Sequence, residues 1–206
     1  MDVIVSVRRE RGHFRLALAS GEVVVVGAEL FRERPFDEGD MIDLEEYDQW
    51  LLPRQYRAAL DRAVGLLALR AHARGEIEAK LRQAHFRPAV IEMVLYKLER
   101  EGLLDDADFS REWAEARARR RLGPRRIAQE LRMKGVAQEE IDAALQGFDE
   151  EEQLEAAVAL ARKGFARGKA GEDPRKAQQR VAAMLARKGY DWEVVRRAVE
   201  AARDEG

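Results

Sequence analysis

The sequence predicts a mainly α-helical protein: three tandem three-helix modules in an elongated arrangement, preceded by a small N-terminal antiparallel β segment. Two observations carry this reading. Apolar residues alternate over the first thirty positions and then recur at helical spacing from about Leu51 onward. One apolar pattern also occurs three times, as IEAKLRQAHFRPAVIEMVL from Ile77, IAQELRMKGVAQEEIDAAL from Ile127 and VAAMLARKGYDWEVVRRAV from Val181.

The β segment comes first. Val3, Val5 and Val7 are expected on one face of a strand, Phe14, Leu16 and Leu18 on one face of a second, and Glu22 to Val26 in a third. Ser20-Gly21 supplies a turn, and Arg8 to Gly12 a longer charged connection. Two or three strands are marginal in water, so this meander should pack on something else. The acidic run from Asp37 to Asp48 leads into the helical part.

Within each copy, apolar side chains recur 4, 9, 14 and 18 residues after the first. They are Ile77, Leu81, Phe86, Ile91 and Leu95, then Ile127, Leu131, Val136, Ile141 and Leu145, then Val181, Leu185, Tyr190, Val195 and Val199. The first two of each set share a face of one short helix, and the last two share a face of the next. Between them Gly135 and Gly189 fit the left-handed residue past a helix end, with Val136 folding back on Leu131 and Tyr190 on Leu185. The first copy puts His85 in that place, at some cost, with Phe86 against Leu81. Pro88 and Pro124 suit first-turn positions, and Asp191 can cap a helix beginning at Trp192.

A further helix should precede each pair, at approximately Arg57 to Ala73, Asp108 to Leu122 and Glu150 to Lys163. In the second of these, Phe109 and Trp113 lie one turn apart and should face one core. The expected divisions are 1–50 for the β meander and acidic connector, then helical repeats at 51–104, 105–148 and 149–206.

Composition narrows the function. There is no cysteine, and His13, His72 and His85 are too far apart in sequence to suggest a metal-ligand cluster. No stretch approaches a membrane span and the N-terminus lacks the order of a signal peptide, so a cytoplasmic protein with no membrane partner is expected. The segment GFARGKA at 164–170 is a near miss to a phosphate-binding loop. It has too few residues between its glycines, and Ala170 stands where a magnesium-binding Ser or Thr belongs. The three serines, Ser6, Ser20 and Ser110, lie in no nucleophile-elbow context. Asp105-Asp106 reads as helix capping, not as acid–base chemistry. No enzyme, cofactor or metal is expected.

Charge supplies the candidate site. The formal net charge is −2, but the window from Arg117 to Lys134 holds eight basic residues and one acid, Glu130. Acid-only stretches run from Phe36 to Trp50 and from Val136 to Glu155. Arginines at the end of a helix meet its negative dipole end, whereas Arg125 and Arg126 at the start of the next do not, which points to a partner. The candidate partner-binding residues are Arg117, Arg119, Arg120, Arg121, Arg125, Arg126 and Lys134. Such a cluster suits either nucleic acid phosphates or an acidic protein surface.

The segment from Leu103 to Leu145 resembles the central motif of the RecX regulatory proteins, bacterial modulators of the RecA recombinase. The matching residues are Leu104-Asp105-Asp106, Phe109, Arg117, Gly123-Pro124-Arg125-Arg126-Ile127, Leu131, Lys134-Gly135-Val136, Ile141 and Leu145. The resemblance continues through LARKGYDWEVVRRAVE near the C-terminus and back to the β-rich start. It implies a protein without catalysis of its own, and the chain is expected to be a monomer. Such a protein would bind the RecA nucleoprotein filament and limit filament growth, strand exchange, ATP hydrolysis and the co-protease activity behind the SOS response, with single- or double-stranded DNA as a further possible partner. The alternative is a direct DNA-binding regulator built of helix-turn-helix-like units. Its third helices, Glu139 to Leu145 and Glu193 to Val199, carry acids that oppose phosphates.

Overall fold

A computed structural model of the chain describes residues 1–168 and 171–204. The chain forms two compact units, Met1–Asp105 and Asp106–Gly206. Lys169 and Ala170, at the end of the GFARGKA near miss, lie outside the described residues.

In the first unit four antiparallel strands pair in the order β3-β2-β1-β4: β1 (Asp2–Glu10), β2 (His13–Leu18), β3 (Val23–Gly27) and β4 (Met41–Ile42). Phe14, Leu16 and Leu18 share the core face of β2 as expected. Val3, Val5 and Val7 do not share a face. The pairing advances from Ile4↔Leu18 to Ser6↔Ala17, and this bulge in β1 inserts one residue that shifts the alternation. Ile4 and Val7 therefore face the core, while Val3 and Val5 stay exposed. The two-residue β4 and the short helix α1 (Ala28–Glu33) carry too little periodicity to be read from sequence.

The meander packs on helix α2, which runs from Leu44 to Leu67, well ahead of the expected start at Arg57. Asp43 caps it by accepting from the Glu45 and Glu46 amides. Its first turns give Tyr47 and Leu51 to the core under the sheet. Its later turns give Ala59 and Ala63 to a second core, shared with α3 (Arg74–Gln83) and α4 (Pro88–Arg100). Two half-cores that are each too small alone are thus joined by one continuous helix, and the expected division at residue 50 falls inside it.

The second unit contains α5 (Asp106–Ala118), α6 (Pro124–Met133) and α7 (Gln138–Leu145), followed by α8 (Glu150–Ala166), α9 (Pro174–Arg187) and α10 (Trp192–Asp204). In all three modules the first helix packs on the third: α2 on α4, α5 on α7 and α8 on α10. The repeat residues form the module interiors. Twelve of the fifteen are buried, and Phe86, Leu145 and Val199 are half-buried.

The turn that closes each repeat has the expected geometry three times over. Gly135 and Gly189 adopt φ of 78° and 90°, and His85 takes the same left-handed conformation at 62°. The next residue then donates its amide back to the helix, Phe86 to the Leu81 carbonyl, Val136 to Leu131 and Tyr190 to Leu185. The His85 ring lies 3.6 Å, centroid to centroid, from that of His13 in β2, so the residue that departs from the glycine pattern is the one that ties its module to the sheet.

Gly189 has a second role. Its carbonyl accepts from the Arg125 amide at 3.1 Å, and the neighbouring Lys188 carbonyl accepts from the Gly123 amide at 2.8 Å. The third module thereby satisfies donors at the start of α6 that its own helix leaves unpaired. The approach is so close that a Cβ on Gly123 would overlap the Gly189 carbonyl, and one on Gly189 would overlap the Arg126 backbone.

Gly123→Ala should therefore lower stability by about 1–3 kcal/mol in urea unfolding, because it forces an overpacked contact. Gly123 has φ −81°, which alanine adopts freely, so an unchanged midpoint would disprove the tight junction. A second expectation concerns pH. His72 is buried in the first module, and burial holds its pKa below the ordinary 6.5, against the hydrogen bond of its Nδ1 with the Arg70 carbonyl. The unfolded chain takes up that proton first as pH falls below about 6.5, so this contribution to stability is present at neutral pH and declines toward the folded value. Urea midpoints measured downward from neutral pH should fall less steeply for His72→Gln than for the parent chain.

Candidate partner-contact surface

The basic window occupies the end of α5, the connection to α6, and α6 itself. Helix α5 ends in a left-handed turn at Arg121, φ 56°, with the Leu122 amide returning to the Arg117 carbonyl at 3.1 Å. Arginine takes a place usually filled by glycine, and the strain of about 1 kcal/mol is offset locally: the Tyr190 hydroxyl donates to the Arg121 carbonyl at 3.2 Å. Tyr190 is buried, which raises its pKa above the ordinary phenol value and keeps it a donor. Gly123 and Pro124 then open α6 against Gly189.

The structure divides the seven candidate residues into two groups of three and leaves Arg125 apart from both. Arg117, Arg126 and Lys134 surround Glu130, the single acid of the window, and Trp113. Glu130 accepts from Arg117 Nε at 2.6 Å, from Arg126 Nε at 3.3 Å and from Trp113 Nε1 at 3.2 Å. The Arg117 guanidinium and the Lys134 ammonium each lie 4.1 Å from the centre of the Trp113 ring. Phe109 stacks on Trp113 at 5.7 Å. Phe109 and Trp113 are adjacent as expected, but Trp113 is a platform for cations and not a core residue. With the Glu130 side chain 14% exposed and that of Arg117 22%, this network braces α5 against α6.

Arg125 pairs with Asp191 at 2.6 Å across the junction with the third module, between two exposed side chains. Asp191 also accepts from the Glu193 amide at the start of α10, at 3.4 Å. The misplacement of Arg125 and Arg126 against the α6 dipole thus has an internal explanation, and they do not by themselves require an external partner. Arg119, Arg120 and Arg121 form the second group. All three are exposed, Arg119 reaches Glu115 only at 3.7 Å, and Arg120 and Arg121 make no ion pair among the described residues.

Glu130 and Trp113 are the residues that sequence reasoning overlooked. The signal was present in the spacing: Trp113 and Arg117, like Arg126 and Glu130, stand four residues apart on one helix face. Which helix faces which could not be read from spacing.

Among the described residues no group of three or more His, Asp or Glu side chains is placed to hold a metal ion. No described helix is long and apolar enough to cross a membrane. Fold and surface together define a repeat protein of tandem three-helix modules with a cationic helix end. Family models of RecX match it three times: the first three-helix domain over residues 59–98, the second over 105–145 and the third over 150–199. The chain belongs to the RecX family. Regulatory protein RecX of Mycolicibacterium vanbaalenii is 41% identical over 135 residues, spanning 61% of this chain and 72% of that protein. The Halorhodospira halophila regulatory protein RecX is 39% identical over 145 residues, 70% of this chain and 88% of that protein. A crystal structure of regulatory protein RecX matches with a TM-score of 0.67 at 25% identity, covering 99% of this chain and 100% of that one. The RecX structure from Lactobacillus salivarius, 22% identical over 73% of this chain, has the same score and shows the shared fold.

Glu130→Gln should destabilise the second unit by about 1–3 kcal/mol in thermal unfolding, because it leaves half-buried guanidinium groups without their carboxylate. Asp191→Asn, which opens an exposed pair, should cost under about 1 kcal/mol. Equal effects would contradict the distinction between the half-buried network around Glu130 and the exposed Arg125–Asp191 pair.

Proposed function

We propose that the chain is a non-enzymatic regulator that binds the RecA nucleoprotein filament and inhibits its extension, strand exchange, ATPase and co-protease activities, modulating DNA repair and the SOS response. Family membership supports the regulatory class. The observation that carries the contact is the exposed run Arg119-Arg120-Arg121 at the end of α5, where Arg120 and Arg121 have no internal carboxylate among the described residues. The left-handed Arg121 turn, held by Tyr190, fixes the backbone that presents these side chains, and guanidinium groups suit bidentate contacts to carboxylates or phosphates. Arg117, Arg126 and Lys134 support the surface from beneath, and Arg125 flanks it.

The alternative, reading of duplex DNA by the third helix of each module, has weaker support. Helix α7 carries Glu139, Glu140 and Asp142. On α10, Arg196 is paired with Glu193 at 2.6 Å and Arg197 with Glu150 at 2.8 Å.

RecA ATPase on single-stranded DNA, measured with substoichiometric amounts of this protein, should be inhibited well below the RecA concentration. The double variant Arg119→Glu/Arg120→Glu should weaken that inhibition at least about tenfold, equivalent to roughly 1.4 kcal/mol, with far-UV helicity unchanged. Unchanged inhibition would assign these arginines to solvent. Absence of inhibition by the parent chain would refute the RecA reading itself.

A further inference from the structure

A second cationic feature lies in the first unit, where no cluster shows in the sequence because the arginines come from three separate segments. A cavity of about 470 Å³ opens between the β1–β2 hairpin tip, α1, α2 and the end of α3. Arg11 lines it from the hairpin, Arg32 from α1 and Arg62 from α2. None of the three side chains makes an ion pair or hydrogen bond among the described residues, although arginines elsewhere in the unit, such as Arg34, Arg54, Arg74 and Arg87, are paired. Glu29 also lines the cavity, leaving the lining with an excess of positive charge.

One further observation sets this lining apart from a solvated surface. Gln55 lines the cavity but is only 1% exposed. Its amide oxygen accepts from the Arg87 amide at 3.2 Å, so its amide nitrogen, which makes no hydrogen bond among the described residues, remains as a donor. The cavity wall also includes His85, whose left-handed backbone holds its ring against His13. The charge extends up the hairpin. Arg8 stands directly opposite Arg15 in the β1–β2 ladder, a like-charge pairing that weakens a sheet unless an anion neutralises it.

We propose that the cavity lined by Arg11, Arg32, Arg62 and Gln55 is a binding site for phosphate groups, with Arg8 and Arg15, which share one face of the sheet, extending it along the hairpin. The chemistry favours phosphate over a carboxylate. Three guanidinium groups and one amide offer more donors and more charge than a single carboxylate satisfies, whereas a phosphate presents several acceptor oxygens and can carry more than one charge. The hairpin extension favours a succession of phosphates, as in a single strand or a polyphosphate. The proposal is independent of the RecA reading, because it concerns direct binding by the first unit.

The test uses the full chain and two probes: a fluorescein-labelled oligothymidylate followed by anisotropy over a salt series, and inorganic tripolyphosphate as competitor. The parent chain should bind the oligonucleotide. Arg32→Glu/Arg62→Glu should reduce affinity at least tenfold and lower the slope of log affinity against log salt by about 0.7 for each phosphate no longer neutralised. Ala58→Glu, which adds an acid to the cavity wall and leaves every arginine in place, should act in the same direction. Full competition by tripolyphosphate identifies a site for isolated phosphate groups, and weak competition a site for strand phosphates; either result supports the proposal. It is overturned if the parent chain binds neither probe, if both variants keep the parent affinity and slope, or if polyglutamate of matched charge competes as well as the oligonucleotide does.

Discussion

Each module depends on one left-handed residue. At His85, Gly135 and Gly189 the chain reverses out of its second helix, and the following amide returns to the carbonyl five residues earlier. This brings Phe86, Val136 and Tyr190 back over Leu81, Leu131 and Leu185, and it sets the direction in which the third helix leaves to meet the first. An L residue with a side chain reaches this conformation only at a cost, so the two glycines are the cheap solution and His85 the expensive one. His85 offsets its strain through contact with His13, which gives the first module an attachment to the sheet that the others have no need of.

The same turn links the last two modules. Because Gly189 has no side chain, its carbonyl can approach the start of α6 closely enough to accept from Arg125, and Gly123 must lack a side chain for the same reason. The run Gly123-Pro124-Arg125-Arg126 is therefore a docking element as much as a helix start. Its glycine permits contact, its proline begins the helix without a surplus donor, Arg125 reaches Asp191, and Arg126 reaches Glu130.

This changes the meaning of the positive charge. A window that looks uniformly cationic in sequence is built in two tiers. The inner tier, Arg117, Arg126 and Lys134 around Glu130 and Trp113, holds two helices together. The outer tier, Arg119 to Arg121, is turned to solvent. One carboxylate separates them, because a half-buried guanidinium needs a partner whereas an exposed one does not. The hairpin cavity shows the opposite case, in which arginines remote in sequence line one concavity without partners of their own among the described residues.

Much of the fold was legible in the chain because its signals are local or periodic. The three apolar sets, the glycine and proline punctuation and the Asp191 cap depend on residues within a turn or two of one another, and the structure reproduces them. The β bulge after Ile4, the early start of α2 and the brief elements α1 and β4 were not legible, because each is decided by packing of the meander on Tyr47 and Leu51. At the candidate surface the sequence by itself determined where positive charge accumulates and that the repeats do not all share it. Only the tertiary structure decided which of those charges are bound internally, since that depends on which helix faces Glu130 and on how closely Gly189 approaches Gly123, and such distances between segments far apart in the chain leave no periodic trace.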